Sequence, residues 1–265
     1  LGVSDLQLLR KVGEGHPSEV WEAEVAGGQR VAAKRLKEWA RTAGGSLTSE
    51  RDWLCALDHP HILAYRGVVI EGDAVQWILT ELMSGQRLSD MCRAGALPPP
   101  DALRLGIDVA RGLQALHERS PPVMHRDLHS DNLLLAHDGR VVIADLGNAK
   151  EALPGARHND PLIMFAYIKP PEVLAVSRDP TTGLGAKYGT AFDIFALGCM
   201  LIGMVVGLPC IETRDVSHRP ADLRRACESI PPITPLLVAM LAEREESRPQ
   251  AREVVSSLSA ALKRV

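Results

Sequence analysis

Apolar and polar positions alternate through the first third of the chain, and a helical period takes over after it. Leu6 to Val12 runs into a turn bearing Gly13 and Gly15, and alternation resumes from Val20 to Val25. A further strand, Val31 to Lys34, follows Gly27-Gly28, and a second pair, Ile62 to Ile70 and Val75 to Leu82, is joined by Glu71-Gly72-Asp73. Successive strand side chains point to opposite faces, so such runs read as half-buried strands separated by turns. Ser46 to Leu57 reads as a helix, with Leu54 and Leu57 on one face and Glu50, one turn before Leu54, on that face too. Alternation stops between Thr80 and Gly85, where small polar residues begin. Beyond it, prolines and Asp101 open a helix whose apolar positions Leu103, Ile107, Ala110, Leu113 and Leu116 recur at helical spacing. Two runs too short for helices, ending at Leu135 and starting at Val141, flank an Asp138-Gly139 pair, which predicts a hairpin because glycine accepts positive φ. The pattern is α+β: a small β-rich part, residues 1–82, with one main helix, a linker at about 83–87, and a larger, mainly helical part over 88–265.

Composition narrows the class. At 265 residues the chain can bury a full core, and a net charge of −3 with 24% charged residues gives no reason to expect nucleic acid or a membrane surface as partner. Five scattered cysteines without a CxxC pair fit reduced thiols in an intracellular, cytoplasmic protein. No stretch of it reads as a signal peptide, and the most apolar run, Ile194 to Pro209, is too short to cross a bilayer and reads as a buried helix. The chain opens at Leu1 rather than at a methionine, which we read as a domain cut from something longer; a domain of a larger membrane protein is the alternative localisation.

Three polar groups, Asp127, Asn132 and Asp145, sit at the mouths of the short apolar runs. A carboxylate to handle a hydroxyl proton, with an amide and a second carboxylate to hold a divalent cation, is the set that phosphoryl transfer from a nucleotide requires. The turn at Gly13 and Gly15 lets backbone lie close over phosphates, although such a turn alone also serves an ordinary hairpin. A strand follows it rather than a helix, which argues against a dinucleotide fingerprint. Lys34 reads either as a solvated edge charge or as a point charge reaching phosphate oxygens, with small Ala32 leaving room for a planar base. Glu50 reads as a solvated helix charge or as the inward partner of Lys34. His125 and His129 have no third His or Cys at a metal-binding spacing and read as structural.

In this order these elements resemble the eukaryotic protein kinase catalytic domain, over essentially the whole chain, 1–265. His125-Arg126-Asp127 with Asn132 matches the catalytic loop, and Asp145-Leu146-Gly147 the metal-binding motif with Leu in place of Phe. Pro170-Pro171-Glu172 matches the close of the activation segment, Asp193 the buried aspartate of the central helix, and Arg248 the arginine that pairs with the Glu172 position. The stretches Trp77 to Met83 and Ala110 to His117 look like the tyrosine-kinase-like branch, which mostly phosphorylates Ser and Thr. The resemblance implies a bilobal fold and transfer of the γ-phosphate of ATP to a protein substrate, Ser/Thr before Tyr or dual specificity, with Mg²⁺, or alternatively Mn²⁺. It implies that Asp127 takes the hydroxyl proton, that Asn132 and Asp145 hold the metal, and that Lys34, held by Glu50, fixes phosphates. Val12, Gly13, Gly15 and Val20 would cover the nucleotide. Val20, Ala32 and Leu134 would sandwich adenine, Thr80 would guard the back of the pocket, and Glu81 and Met83 would offer main-chain groups. Leu54, Tyr65, His125 and Leu146 would stack between the lobes. The sequence sets no oligomeric state.

Several positions depart from the family pattern. The third glycine of the loop is Ser18, with Pro17 stiffening the tip. Between Asp145 and Glu172 there is no Ser or Thr, and the only hydroxyl is Tyr167. Arg126 is therefore expected to lack a Ser/Thr phosphate partner, with an acidic residue, Glu151 or Asp160, standing in near Lys150, Arg157 and His158. His129 stands where Ser/Thr kinases usually carry Lys, the closing segment holds one extra residue, Ile168 or Lys169, and Ser177 to Lys187 reads as an inserted surface loop. These departures leave a second reading, a nucleotide-binding pseudokinase acting as an interaction or allosteric module.

Overall fold

The computed structural model describes residues 5–153, 155, 168–178, 187–208 and 220–265. Strands β1 (Leu6–Glu14), β2 (Ser18–Val25) and β3 (Gln29–Leu36) form an antiparallel meander. β4 (Tyr65–Glu71) and β5 (Ala74–Thr80) complete a five-stranded sheet in the order β1-β2-β3-β5-β4. Register decides which residues share a face. Val20 opposes Lys34, Lys34 opposes Ile78, and Ala32 opposes Thr80. Opposed residues, and residues two apart, point to the same side, so these five line one face. The other face carries Ala23, Val31, Ala33, Val69, Trp77 and Leu79 as a small core of its own. A one-residue slip would exchange the two sets, so the packing of that core fixes the direction of Lys34.

Three elements differ from the sequence-based expectation. The expected helix from Ser46 to Leu57 is shorter, α2 (Thr48–Cys55), and a five-residue α1 (Glu38–Thr42) precedes it, too short to show a period. The expected strand from Ile62 starts only at Tyr65. Ile62 instead bridges in parallel to Ile143, the Leu63 N–H donates to the Ile143 carbonyl, and the Ile143 N–H donates to the His61 carbonyl. The apolar residues there build the junction between lobes rather than the sheet. The strand expected to run through Leu82 ends at Thr80.

The second lobe is helical. After α3 (Leu88–Ala94), which no periodicity announced, α4 (Pro99–His117) packs against α6 (Ala191–Val206) and α9 (Ala251–Leu262). Helix α6 is buried along nearly its whole length, as its apolar composition requires. Gly112 lets α4 meet the junction: a Cβ there would stand 2.7 Å from the His61 carbonyl oxygen and 2.7 Å from Ile143 Cδ1. The predicted hairpin is β7 (Leu133–Leu135) with β8 (Val141–Ile143), and Gly139 takes φ +81° in its turn. A second pair, β6 (Val123–Met124) with β9 (Lys150–Glu151), brackets the catalytic-loop motif. The C-terminal part is completed by α5 (Pro171–Arg178), α7 (Pro220–Ser229) and α8 (Thr234–Met240). Among the described residues no helix is long and apolar enough to cross a membrane.

Candidate active site

Lys34, on the inward face of β3, donates to both Glu50 carboxylate oxygens at 2.8 and 2.7 Å and to Asp145 Oδ1 at 3.0 Å. Glu50 comes from the buried side of α2, as its spacing from Leu54 required, and only 6% of its side chain is exposed. Asp145 follows β8, whose tie to His61 and Leu63 sets the height of the chain where it leaves the hairpin. Its backbone is left-handed at φ 61°, a strained conformation for a residue with a side chain. Gly147 makes room for that carboxylate, because a Cβ there would lie 3.2 Å from Asp145 Oδ1. Burial works against the Lys34 ammonium, but the charges of Asp145 and Glu50 outweigh it and raise its pKa above the ordinary lysine value. Burial pushes the Glu50 carboxyl up. Asp145, half-exposed, is held below the usual aspartate value by the Lys34 charge.

The catalytic-loop motif hangs from Asp193, which is fully buried in α6. One Asp193 oxygen accepts from the Arg126 N–H at 2.9 Å; the other accepts from the His125 N–H at 2.8 Å and lies 2.9 Å from His117 Nε2. Burial opposes the Asp193 charge, yet the His117 hydrogen bond and charge hold its pKa below the usual value. Arg126 is held at φ 67°, a second left-handed residue. The Asp127 N–H donates to His125 Nδ1 at 3.3 Å, so the proton of a neutral imidazole sits on Nε2, 3.0 Å from the Ala144 carbonyl. Asn132 Nδ2 donates to the Asp127 carbonyl at 2.9 Å. That bond turns the amide oxygen away, as the atom a hard cation would take.

Arg126, for which the sequence offers no Ser/Thr phosphate partner, donates through Nε to the Asn148 carbonyl at 2.6 Å and through Nη1 to the Tyr188 hydroxyl at 3.3 Å. His129, read as structural, is buried between two carboxylates, 3.8 Å from Asp127 Oδ1 and 3.8 Å from Asp131 Oδ2. Burial lowers its pKa against the pull of both aspartates, which keeps the ring neutral at pH 7. Sequence reasoning missed Asn148, whose Nδ2 donates to Asp127 Oδ2 at 3.1 Å. A single amide in a turn carries no period, and only its place directly after Gly147 could have drawn notice. Glu151 lies exposed in β9, while Arg157, His158, Asp160, Tyr167 and residues 179–186 of the expected surface loop lie outside the described residues.

The remaining expected nucleotide residues differ in exposure. Val12, Gly13, Val20, Ala32, Glu81, Met83 and Leu134 are each part-exposed, and Thr80, opposite Ala32 in the sheet, is buried. The Glu81 N–H donates to the Ala64 carbonyl and its carboxylate accepts from the Ala64 N–H. Met83 uses neither backbone group in a hydrogen bond among the described residues. The Ser84 N–H and hydroxyl both donate to the Leu135 carbonyl, which pins the linker to the hairpin that carries Leu134. Gly15 closes a tight turn with Ser18, yet a Cβ there would meet nothing nearer than 3.6 Å. Among the described residues neither strain nor packing demands glycine at that point. The tip is latched from outside: the His16 ring lies edge-on to Trp39 at 4.8 Å, the Lys37 N–H donates to the Pro17 carbonyl, and Lys37 pairs with Glu14. Far from the cleft, Arg248 and Glu172 form a two-point pair at 2.8 and 2.7 Å.

A five-stranded sheet and a helical lobe, hinged over a Lys–Glu–Asp cluster, make the bilobal architecture of protein kinases. The protein kinase domain family model matches residues 6–259, and the chain belongs to that family. It is 31% identical over 207 residues to the serine/threonine-protein kinase pak-2 of Caenorhabditis elegans, covering 78% of this chain and 37% of that protein. The serine/threonine-protein kinase PAK 1 of Mus musculus is 30% identical over 202 residues, covering 76% and 35%. The dual specificity testis-specific protein kinase 1 of Homo sapiens is 32% identical over 217 residues, covering 78% and 32%. The chain spans about a third of the length of these relatives.

Proposed function

We propose that this chain is the catalytic domain of an ATP- and Mg²⁺-dependent kinase that phosphorylates Ser or Thr hydroxyls of proteins. The observation that carries the reading is the Lys34 ammonium held by Glu50 and Asp145 on the cleft face of the sheet. Burying such a cluster does little for stability by itself, so its use is electrostatic. Lys34 meets the phosphate oxygens nearest the sheet, and Glu50 keeps it extended. The unused backbone groups of Met83 offer hydrogen bonds to the edge of a purine, and the bare Gly15 turn leaves space beneath it for phosphates. The acceptor class is supported by the relatives, two of which are named serine/threonine-protein kinases.

The donor set fits Mg²⁺. One carboxylate, Asp145, and one amide oxygen, Asn132, would hold the ion, with phosphate oxygens and water as its further ligands, the hard oxygen donors this ion favours. Among the described residues no group of three or more His, Cys, Asp or Glu is placed to hold a metal without such help. The ion, when bound, neutralises charge on the phosphates. Asp127 accepts the proton of the acceptor hydroxyl as that oxygen bonds to phosphorus, and the electron pair of the broken bond leaves on ADP.

Transfer of labelled γ-phosphate to a generic protein, and to the chain itself, tests the reading. Asp127→Asn and Lys34→Met should each abolish most of it; transfer that persists in both overturns the assignment. Nucleotide binding without transfer by the wild type would instead identify an interaction or allosteric module.

A further inference from the structure

The backbone on both sides of Asp127 is fixed by other residues. Before it, the buried Asp193 carboxylate holds the His125 and Arg126 amides. After it, Asn132 holds the Asp127 carbonyl. None of these contacts touches the Asp127 carboxylate, which turns about two side-chain torsions and is only partly buried. Asn148 does touch it, through Nδ2 at 3.1 Å from Oδ2. Because an ionised carboxylate only accepts hydrogen bonds, the NH₂ side of the Asn148 amide must be the side that faces it. Asn148 is itself held: Arg126 Nε donates to its carbonyl at 2.6 Å, and Arg126 is anchored in turn by Tyr188. His129, on the Oδ1 side, stands at 3.8 Å, too far to orient the group by a hydrogen bond.

We infer that Asn148 is the positioning residue for Asp127, holding Oδ2 so that Oδ1 faces the acceptor hydroxyl. The inference deepens the kinase reading above and rests on it. The amide is neutral, so it fixes the direction of the carboxylate without adding a positive charge beside the proton acceptor. Catalysis is sensitive to such placement, and a misplacement of about 1 Å is worth on the order of 100-fold in rate.

The test compares wild type with Asn148→Leu, close in size but without a donor, and Asn148→Gln, which restores the donor on a longer arm. Initial rates, the affinity for a fluorescent nucleotide measured without turnover, and thermal melting are followed for each. Asn148→Leu should lower kcat about 10- to 100-fold, with KM for ATP, nucleotide affinity and melting temperature essentially unchanged, and Asn148→Gln should recover much of the loss. In an Asp127→Ala background, Asn148→Leu should lower the residual rate no further, because the group it positions is gone. An Asn148→Leu enzyme as fast as wild type overturns the inference. So does a loss that tracks weakened nucleotide binding or melting, or one that persists undiminished in the Asp127→Ala background. A wild type that transfers nothing overturns the kinase reading itself, and is distinguished by the same first measurement.

Discussion

Replacing Lys34 with Met removes the cation from a cluster in which Glu50 is almost fully buried, so stability and activity should fall for separable reasons. Lys34 makes two charge-assisted hydrogen bonds to Glu50, at 2.8 and 2.7 Å. Such bonds contribute about 1.5–3 kcal/mol, and the orphaned carboxylate sets the loss toward the upper end unless it protonates. Burial already pushes the Glu50 carboxyl up from its ordinary value of 4.5. With Lys34 gone, the largest opposing influence disappears and that pKa rises further. A carboxyl whose pKa is higher folded than unfolded takes up a proton on folding, so the variant loses stability as pH rises above the ordinary value. Lys34 itself has its pKa raised in the folded protein, so its contribution in the wild type is fully present below the ordinary lysine value, across the whole range tested. In metal-free buffer the melting temperature of Lys34→Met should therefore fall short of wild type by about 3–10 °C at pH 8, and by under half of that near pH 5. Phosphate transfer should fall about 100- to 1,000-fold, the usual effect of losing one preorganised donor. Adding Glu50→Leu should return much of the stability, because no buried charge is left, but none of the activity. A melting deficit equal at both pH values, or larger in acid, would refute the reasoning. So would a double variant less stable than Lys34→Met alone.

Glu172→Leu leaves the fully buried Arg248 side chain without its charge partner. The loss should be about 3 kcal/mol, the low end for a broken buried pair, because the carbonyls of Ala191, Ala242 and Glu243 still accept from the guanidinium; chemical denaturation showing less than about 1 kcal/mol would contradict that burial. Gly112→Ala should lower stability by about 1–3 kcal/mol, since its Cβ meets a backbone oxygen at 2.7 Å and cannot be accommodated by a side-chain swing alone. Thermal melts read it, and an unchanged melting temperature would show that α4 and the junction are looser than drawn. Trp39→Ala frees the tip of the glycine turn from its edge-on ring contact. Titration with a fluorescent nucleotide should show affinity weakened about 2- to 5-fold, the low end for an aromatic pair because both rings are exposed; unaltered affinity would dismiss the latch.

Much of the fold was legible because its elements follow local rules. Alternation announced β1 to β3 and β5, helical spacing announced α2 and α4, and the Asp138-Gly139 pair announced the β7–β8 turn. Where apolar residues serve two masters the reading slipped. Ile62 and Leu63 look like the start of a strand, yet they are apolar in order to join β8. Short elements, α1, α3 and the β6–β9 pair, contain too few residues to show any period.

The chemistry divides the same way. Residue types and spacings singled out Asp127, Asn132 and Asp145, while Lys34 and Glu50 kept two readings each until the resemblance to protein kinases paired them. The partners that aim those groups come from elsewhere in the chain and obey no spacing rule. Asp193 holds the catalytic loop from 66 residues beyond Asp127, and Arg126 finds Tyr188 and the Asn148 carbonyl. His129 is kept neutral by burial, against the pull of Asp127 and Asp131 on either side of it, and that burial exists only in the folded chain. Local sequence determined which groups are present, since propensity and period act over a few residues. Only tertiary packing decided where each group points, because hydrogen-bond direction and burial depend on neighbours that the chain brings together by folding.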